Sequence, residues 1–142
     1  MKEIKFRGMS LSGEWFCGLL SHSNGRNMMQ PVTGYYISNS AGQPWAYAVR
    51  PETIGQFIGR RDKNGKEIYE GDVCRFSVPM SLYIGKSENN RFIGEIKWDD
   101  SELGYYLLSN NGHHPYVRLW IAMDIEVIGN IYENPELLEA TG

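Results

Sequence analysis

Apolar and polar residues alternate with a period of two along most of the chain. In EIKFRG, Ile4 and Phe6 alternate with Lys5 and Arg7. That pattern predicts a strand with Ile4 and Phe6 buried and the two cations in water. EWFCGLL (Glu14–Leu20) and TGYYIS (Thr33–Ser38) read as further strands, with Gly25 and Gly42 in the turn-like stretches that follow them. AYAVR (Ala46–Arg50) is a fourth, and it runs into Pro51, which forbids a helix through that point. TIGQFIG is a fifth, leading into the charged stretch GRRDKNGKEIYEGDV (Gly59–Val73).

Within that stretch Asn64-Gly65 predicts a two-residue hairpin of type I′, whose central residues both need positive φ. Gly71-Asp72 makes a second turn before VCRF resumes as a strand. A glycine–acid corner feeding a curled strand, followed by GEIKW, reads as a small SH3-like barrel with Ile68, Val73, Phe76, Ile96 and Trp98 in one core. Phe92, Gly94, Ile96 and Trp98 share one face of their strand, and Ile93, Glu95 and Lys97 take the other. DDSELG and NNGHHP are turns, and YYLLS and YVRLWIAM are the strands they introduce. IEVIGNIY is the last strand, with Ile125, Val127 and Ile131 on one side. Only the tail has helical signals: Asn134 as a cap, Pro135 at the first helical position, and a helix over Pro135–Ala140. The expected fold is mainly β: an SH3-like small barrel or roll in the C-terminal half, additional N-terminal strands and a short C-terminal helix. No repeat or low-complexity linker divides the chain, so 1–142 reads as a single domain. A seam near Pro51 would separate an N-terminal β subdomain (1–50) from the barrel (51–142).

Composition narrows the function classes. With 142 residues, 42% hydrophobic and 22% charged, the chain can bury a working core and is not of disordered type. Nine Tyr, five Phe and four Trp beside 16 Gly favour a sheet with tight turns. A net charge of −3 gives no global pull toward nucleic acid or an anionic membrane. The N-terminus has no apolar core of a signal peptide, and apolar runs such as WFCGLL are too short to span a bilayer. The expected location is the cytoplasm, with no membrane partner.

Five segments carry a family likeness: IKFRG, GEWFCGLL, VRPETIGQFIG, RDKNGKEIYEGDV and EVIGNIYENPELL, in that order from Ile4 to Leu138. With them the chain resembles the YopX family of phage and prophage proteins. The resemblance implies a mostly β protein with an SH3-like barrel or roll, encoded in mobile elements and present in a bacterial host cell. It brings no established activity and so no catalytic residues to carry over, and no cofactor is expected. Ser77–Asn90, SVPMSLYIGKSENN, is where the likeness fades, and it reads as a variable loop or hairpin.

Candidate chemistry is sparse. His113-His114, with Asp99, Asp100 and Glu102 nearby in sequence, invites a metal. Adjacent strand residues point to opposite faces, however, and no third ligand has a motif spacing, so no metal site is expected. Cys17 and Cys74 sit in apolar strand runs and read as buried free thiols, with Arg75 facing away from Cys74. Asp99-Asp100 reads as a solvated turn. There is no phosphate loop, dinucleotide fingerprint or nucleophile elbow, and no enzyme activity is expected.

Binding is the remaining class. Arg60, Arg61, Lys63 and Lys66 form a basic hairpin against Asp62 and Glu67, and Tyr69, Trp98, Tyr105, Tyr106 and Tyr116 could stack bases. A single-stranded nucleic-acid binder is therefore the alternative reading, opposed by the acidic balance and by the core position assigned to Trp98. In PMSLYIG, Met80, Leu82, Tyr83 and Ile84 form an apolar segment that the barrel does not need, which suits a subunit contact. The leading expectation is a non-enzymatic accessory protein that binds a phage or host protein or assembles with itself as a homo-oligomer.

Overall fold

The structure is a computed structural model and describes residues 3–26, 28, 30, 32–39, 45–79, 91–110 and 115–139. The period-two segments form β1 (Phe6–Met9), β2 (Trp15–Ser23), β3 (Gly34–Asn39), β4 (Ala46–Val49) and β5 (Gly55–Arg61). They continue as β6 (Glu67–Tyr69), β7 (Asp72–Ser77), β8 (Arg91–Asp99), β9 (Gly104–Ser109), β10 (Tyr116–Arg118) and β11 (Met123–Asn130). A 3-10 turn covers Pro51–Thr53, and a one-turn helix, α1, covers Glu136–Glu139. The protein is mainly β, as the alternation predicts. Among the described residues no helix is long and apolar enough to cross a membrane. The chain divides into two compact units, Met1–Gly59 and Arg60–Gly142, and the division falls inside β5.

In the first unit the strands run in the order β4-β3-β2-β1-β5. Ile37 stands opposite both Leu20 and Tyr47 and is fully buried. Phe16 of β2 and Tyr47 of β4 are not on neighbouring strands, yet their rings stack at 3.9 Å. The sheet curls to bring them together, and it curls far enough for the end of β4 to return to β1. Arg50 N donates to Met9 O at 2.8 Å, Met9 N donates to Thr53 Oγ1, and Thr53 Oγ1 donates to Arg50 O. The Pro51 turn is thereby tied into this unit. Gly8 makes the closure feasible, because a Cβ there would stand 2.9 Å from Cβ and Cγ2 of Val49.

Two expectations fail in this unit. Ile4 is 64% exposed and Phe6 half-buried, whereas Arg7 is buried. Ile4 precedes the first ladder pair of β1, Phe6 with Gly18, so no strand neighbour covers it. Arg7 lays its guanidinium over the Trp15 ring at 4.9 Å, which lets a cation occupy a covered position. Cys17, expected to be buried, is exposed, because strand alternation puts it on the face opposite Phe16; Cys74 is buried. A thiol reagent should therefore titrate one cysteine in the native protein and the second only in denaturant. Two fast thiols in the native state would contradict the burial of Cys74.

In the second unit, β7 to β10 form a meander and β11 returns to pair with β7, giving the order β10-β9-β8-β7-β11. Val73, Cys74, Phe76, Ile96 and Leu107 are buried, together with Ile68 of the β6 strand and Ile125 of β11. No ladder among the described residues joins β10 to β11, so this sheet is open there and a closed barrel is not among the observed pairings.

Four details of the second half depart from the sequence reading. Trp98 is 41% exposed rather than in the core: the buried row ends at the Ile96–Leu107 pair, and Trp98 opposite Tyr105 lies beyond it. Only Tyr116–Arg118 of YVRLWIAM is strand, since Ile121 N and Ala122 N bond back to Arg118 O and Leu119 O in a turn. In β11, register shifts between Met123 and Glu126 and between Val127 and Gly129 break the alternation. Ile125 is buried, Val127 is half-buried and Ile131 lies past the strand. Asn134 Oδ1 accepts from Asn130 N, so its side chain turns back toward the strand.

Candidate functional site

The basic hairpin between β5 and β6 is built on Asp62. Gly65 N donates to Asp62 O, Asp62 N donates to Lys66 O, and Gly65 has φ +84° while Asn64 is not left-handed. This is a three-residue connection with glycine in the bulge position, and it corrects the type I′ expectation. The Asp62 carboxylate drives the choice: Oδ1 accepts from Asn64 N and Lys66 N, and Oδ2 accepts from Val127 N. Burial pushes this carboxyl up, but the bonds from Val127, Lys66 and Asn64 and the Lys66 charge together hold it below the usual range.

Three of the hairpin cations, Arg60, Arg61 and Lys63, make bonds within the second unit while remaining exposed. Arg60 Nη1 donates to Leu119 O at 3.2 Å and Nη2 to Ala122 O at 3.4 Å. Arg61 pairs with Glu67 and also donates to Gly65 O. Lys63 pairs with Glu126 at 3.0 Å, a carboxylate shared with Arg75. Lys66 lies close enough to Asp62 to lower its carboxyl. Tyr69 is buried, with its hydroxyl on Glu67, so it is no stacking platform.

The other aromatic candidates gather at the end of the second sheet where β8 turns into β9. Trp98 and Tyr105 meet edge to face at 4.9 Å, and Trp98 Nε1 donates to Asp100 Oδ1 at 2.7 Å. On the opposite face of the sheet, Tyr106 and Tyr116 stack at 4.3 Å with 17° between their planes. Tyr116 Oη donates to Asp99 Oδ2 at 2.7 Å, and Arg118 lies over the Tyr116 ring while pairing with Glu102. The Asp99–Asp100 turn thus positions two rings, which its sequence did not reveal.

Partners and burial shift several titratable groups here. Hydrogen bonds from Ser101 and Tyr116 lower the Asp99 carboxyl to about 2. The same bond from Tyr116 raises its phenol, and burial with the Glu70 charge raises Tyr105 to about 12. Burial raises the Glu95 carboxyl, with the Lys97 charge opposing. The turns either side of this end meet through the Glu102–Arg118 pair and the bond from Leu119 N to Tyr105 O. They present Leu103, 76% exposed, and Trp120, 77% exposed. Leu103 lies in the DDSELG turn that the sequence already marks, whereas Trp120 was not legible as exposed because it sits in a run that reads as strand. The arrangement leaves three large apolar side chains, Trp98, Leu103 and Trp120, exposed beside carboxylates, with Trp98 held by Asp100 and Tyr105.

Among the described residues no group of three or more His, Cys, Asp and Glu is placed to hold a metal ion. His113 and His114 lie outside the described residues, as do Met80, Leu82, Tyr83 and Ile84.

The model of the YopX protein family matches residues 5–139, nearly the whole chain. The chain belongs to the YopX family. Protein EF1440 from Enterococcus faecalis is a similar solved structure, at 22% identity over 97% of this chain and 99% of that one, with a TM-score of 0.47. No curated protein matches. In this YopX-family chain, RDKNGKEIYEGDV forms the Asp62 hairpin and the corner into β7, and EVIGNIYENPELL forms most of β11 and the start of α1. Those segments build the scaffold. Trp98, Tyr105, Tyr116 and Trp120 fall outside the five segments that carry the family likeness.

Proposed function

We propose that this YopX-family chain is a non-enzymatic phage or prophage accessory protein, working in the bacterial cytoplasm by binding protein, whether a phage or host protein or a second copy of itself. The observation that supports this most is the exposed apolar end built from Trp98, Leu103 and Trp120. Large aromatic residues at a surface are the groups that anchor protein partners, and Trp98 is held there by its bond to Asp100. Acid–base work is a poor fit to the same end, since Asp99 is lowered to about 2 and Tyr116 is raised, so neither exchanges a proton near neutrality.

The stacked Tyr106 and Tyr116 with Arg118 above them favour the alternative, a single-stranded nucleic-acid binder. Glu95, Asp99, Asp100 and Glu102 outnumber Lys97 and Arg118 at that end, and a phosphate backbone would meet net repulsion. Capture of partners from phage-infected cells, with nuclease on half the sample, separates the readings. The wild-type chain should retain a protein after nuclease, and Trp98→Ala with Trp120→Ala should lose it while keeping a β spectrum. Capture that vanishes only after nuclease would move the assignment to nucleic acid.

A further inference from the structure

We infer that the first unit holds a binding site for a small apolar carboxylate. A cleft of about 470 Å³ opens there between the turn carrying Leu11, the segment entering β3 at Val32, and the end of β4 at Arg50 and Pro51. Its volume is in the range of small-molecule sites. Tyr35, Ala48 and Val49 line it further, and the walls are mostly apolar.

The walls are fixed. Tyr36 Oη donates to Val32 O at 2.7 Å and accepts from Val32 N at 3.2 Å, clamping that segment to the sheet. On the other side Arg50 Nη2 donates to Leu11 O at 3.0 Å, while the Arg50 backbone is bonded into the closure of the roll. A cleft braced in this way is largely pre-formed, which reduces the ordering cost of filling it.

Arg50 gives the site its chemistry. Its Nε is fully buried and has no hydrogen-bond partner, and among the described residues no carboxylate pairs with its guanidinium. A half-buried guanidinium beside an apolar cavity, with no carboxylate paired to it among the described residues, is a receptor for an anion at its Nη edge, since the buried Nε is closed to an incoming ligand. A single guanidinium suits one negative charge. Glu52, exposed at the edge of the same cleft, disfavours a dianion such as a phosphate monoester. The ligand class is therefore a monocarboxylate with an apolar body.

Decanoate and 1-naphthoate serve as probes, with decanol and 1-naphthalenemethanol as neutral counterparts, titrated calorimetrically into the full chain below any micelle concentration. At least one acid should bind at one per chain, about tenfold tighter than its alcohol. Arg50→Gln should bring acid and alcohol to parity. Because Arg50 also braces Leu11, a second variant is needed: Leu11 is 82% exposed, so Leu11→Asp should fold normally and weaken the acid more than the alcohol. The inference is overturned if neither acid binds, if each acid and its alcohol bind equally to the wild type, or if both variants bind as the wild type does.

Discussion

Asp62→Ala should lower the free energy of unfolding by about 3 kcal/mol in a urea titration followed by circular dichroism. The side chain accepts from Asn64 N at 2.8 Å, Lys66 N at 2.9 Å and Val127 N at 3.0 Å, so one small carboxylate shapes the hairpin and ties it to β11. Hydrogen bonds to a charged acceptor stabilise by roughly 1.5–3 kcal/mol each, and water can replace part of that at the exposed Asn64 and Lys66. The half-buried Val127 N–H has less access to a substitute, and Lys63 N donates to Ile125 O beside it, so the loss spreads into the strand. The effect also carries a pH signature. The folded carboxyl lies below its ordinary value of 3.8, so the folded state binds the proton less readily than the unfolded chain. The contribution is thus complete above about pH 4 and declines as pH falls through the lowered folded value. The variant should show a correspondingly flatter acid limb, and a loss below about 0.5 kcal/mol would mean that the hairpin does not depend on Asp62.

Gly8→Ala is expected to cost about 2 kcal/mol, an unusual penalty for adding one methyl group to a strand. Its Cβ would stand 2.9 Å from Cβ and Cγ2 of Val49 and 3.1 Å from Cγ1, closer than such atoms can pack. Val49 is buried and adjoins Arg50, whose N–H closes the roll on Met9 O, so relief requires opening that bond or displacing the strand. Val49→Ala alone should destabilise by the usual amount for trimming a buried Val. Combined with Gly8→Ala it should recover about 1 kcal/mol of the sum, because trimming Val49 removes the Cγ1 and Cγ2 contacts while its Cβ remains at 2.9 Å. Strict additivity in this double-mutant cycle would show that the roll accommodates the methyl elsewhere.

The alternation placed the strands well, because a buried row such as Phe92, Gly94 and Ile96 needs period two whatever surrounds it. It could not show where a row leaves the core. Trp98 continues that row by arithmetic and is exposed because the sheet runs past its covering residues. Arg7 and Ile4 exchange roles for a similar reason: pairing starts at Phe6, and the Trp15 ring that accepts the guanidinium is brought in by β2. The hairpin type eluded a reading of Asn64-Gly65 alone, since the deciding group is the Asp62 side chain, whose third partner, Val127, is distant in sequence. The aromatic end was half legible: its tyrosines and Trp98 stood out as rings, but their positioning by Asp99 and Asp100 and the exposure of Trp120 depend on which turns meet. The Arg50 cleft gave no sequence signal, as its walls come from three separated segments.

Strand β7 is central in its sheet only because β11 covers its outer edge, pairing Met123 with Ser77 and Asn130 with Asp72. As the chain leaves a ribosome, β7 to β10 emerge first, and the edge of β7 carrying Val73 and Cys74 waits with its N–H and C=O groups unpaired. Such an edge invites pairing with any passing strand. Asp62 waits as well, for the N–H of Val127. The sheet of the second unit is therefore completed only when residues 123–130 arrive, and a chaperone that shields nascent strand edges would be most needed in the interval before it.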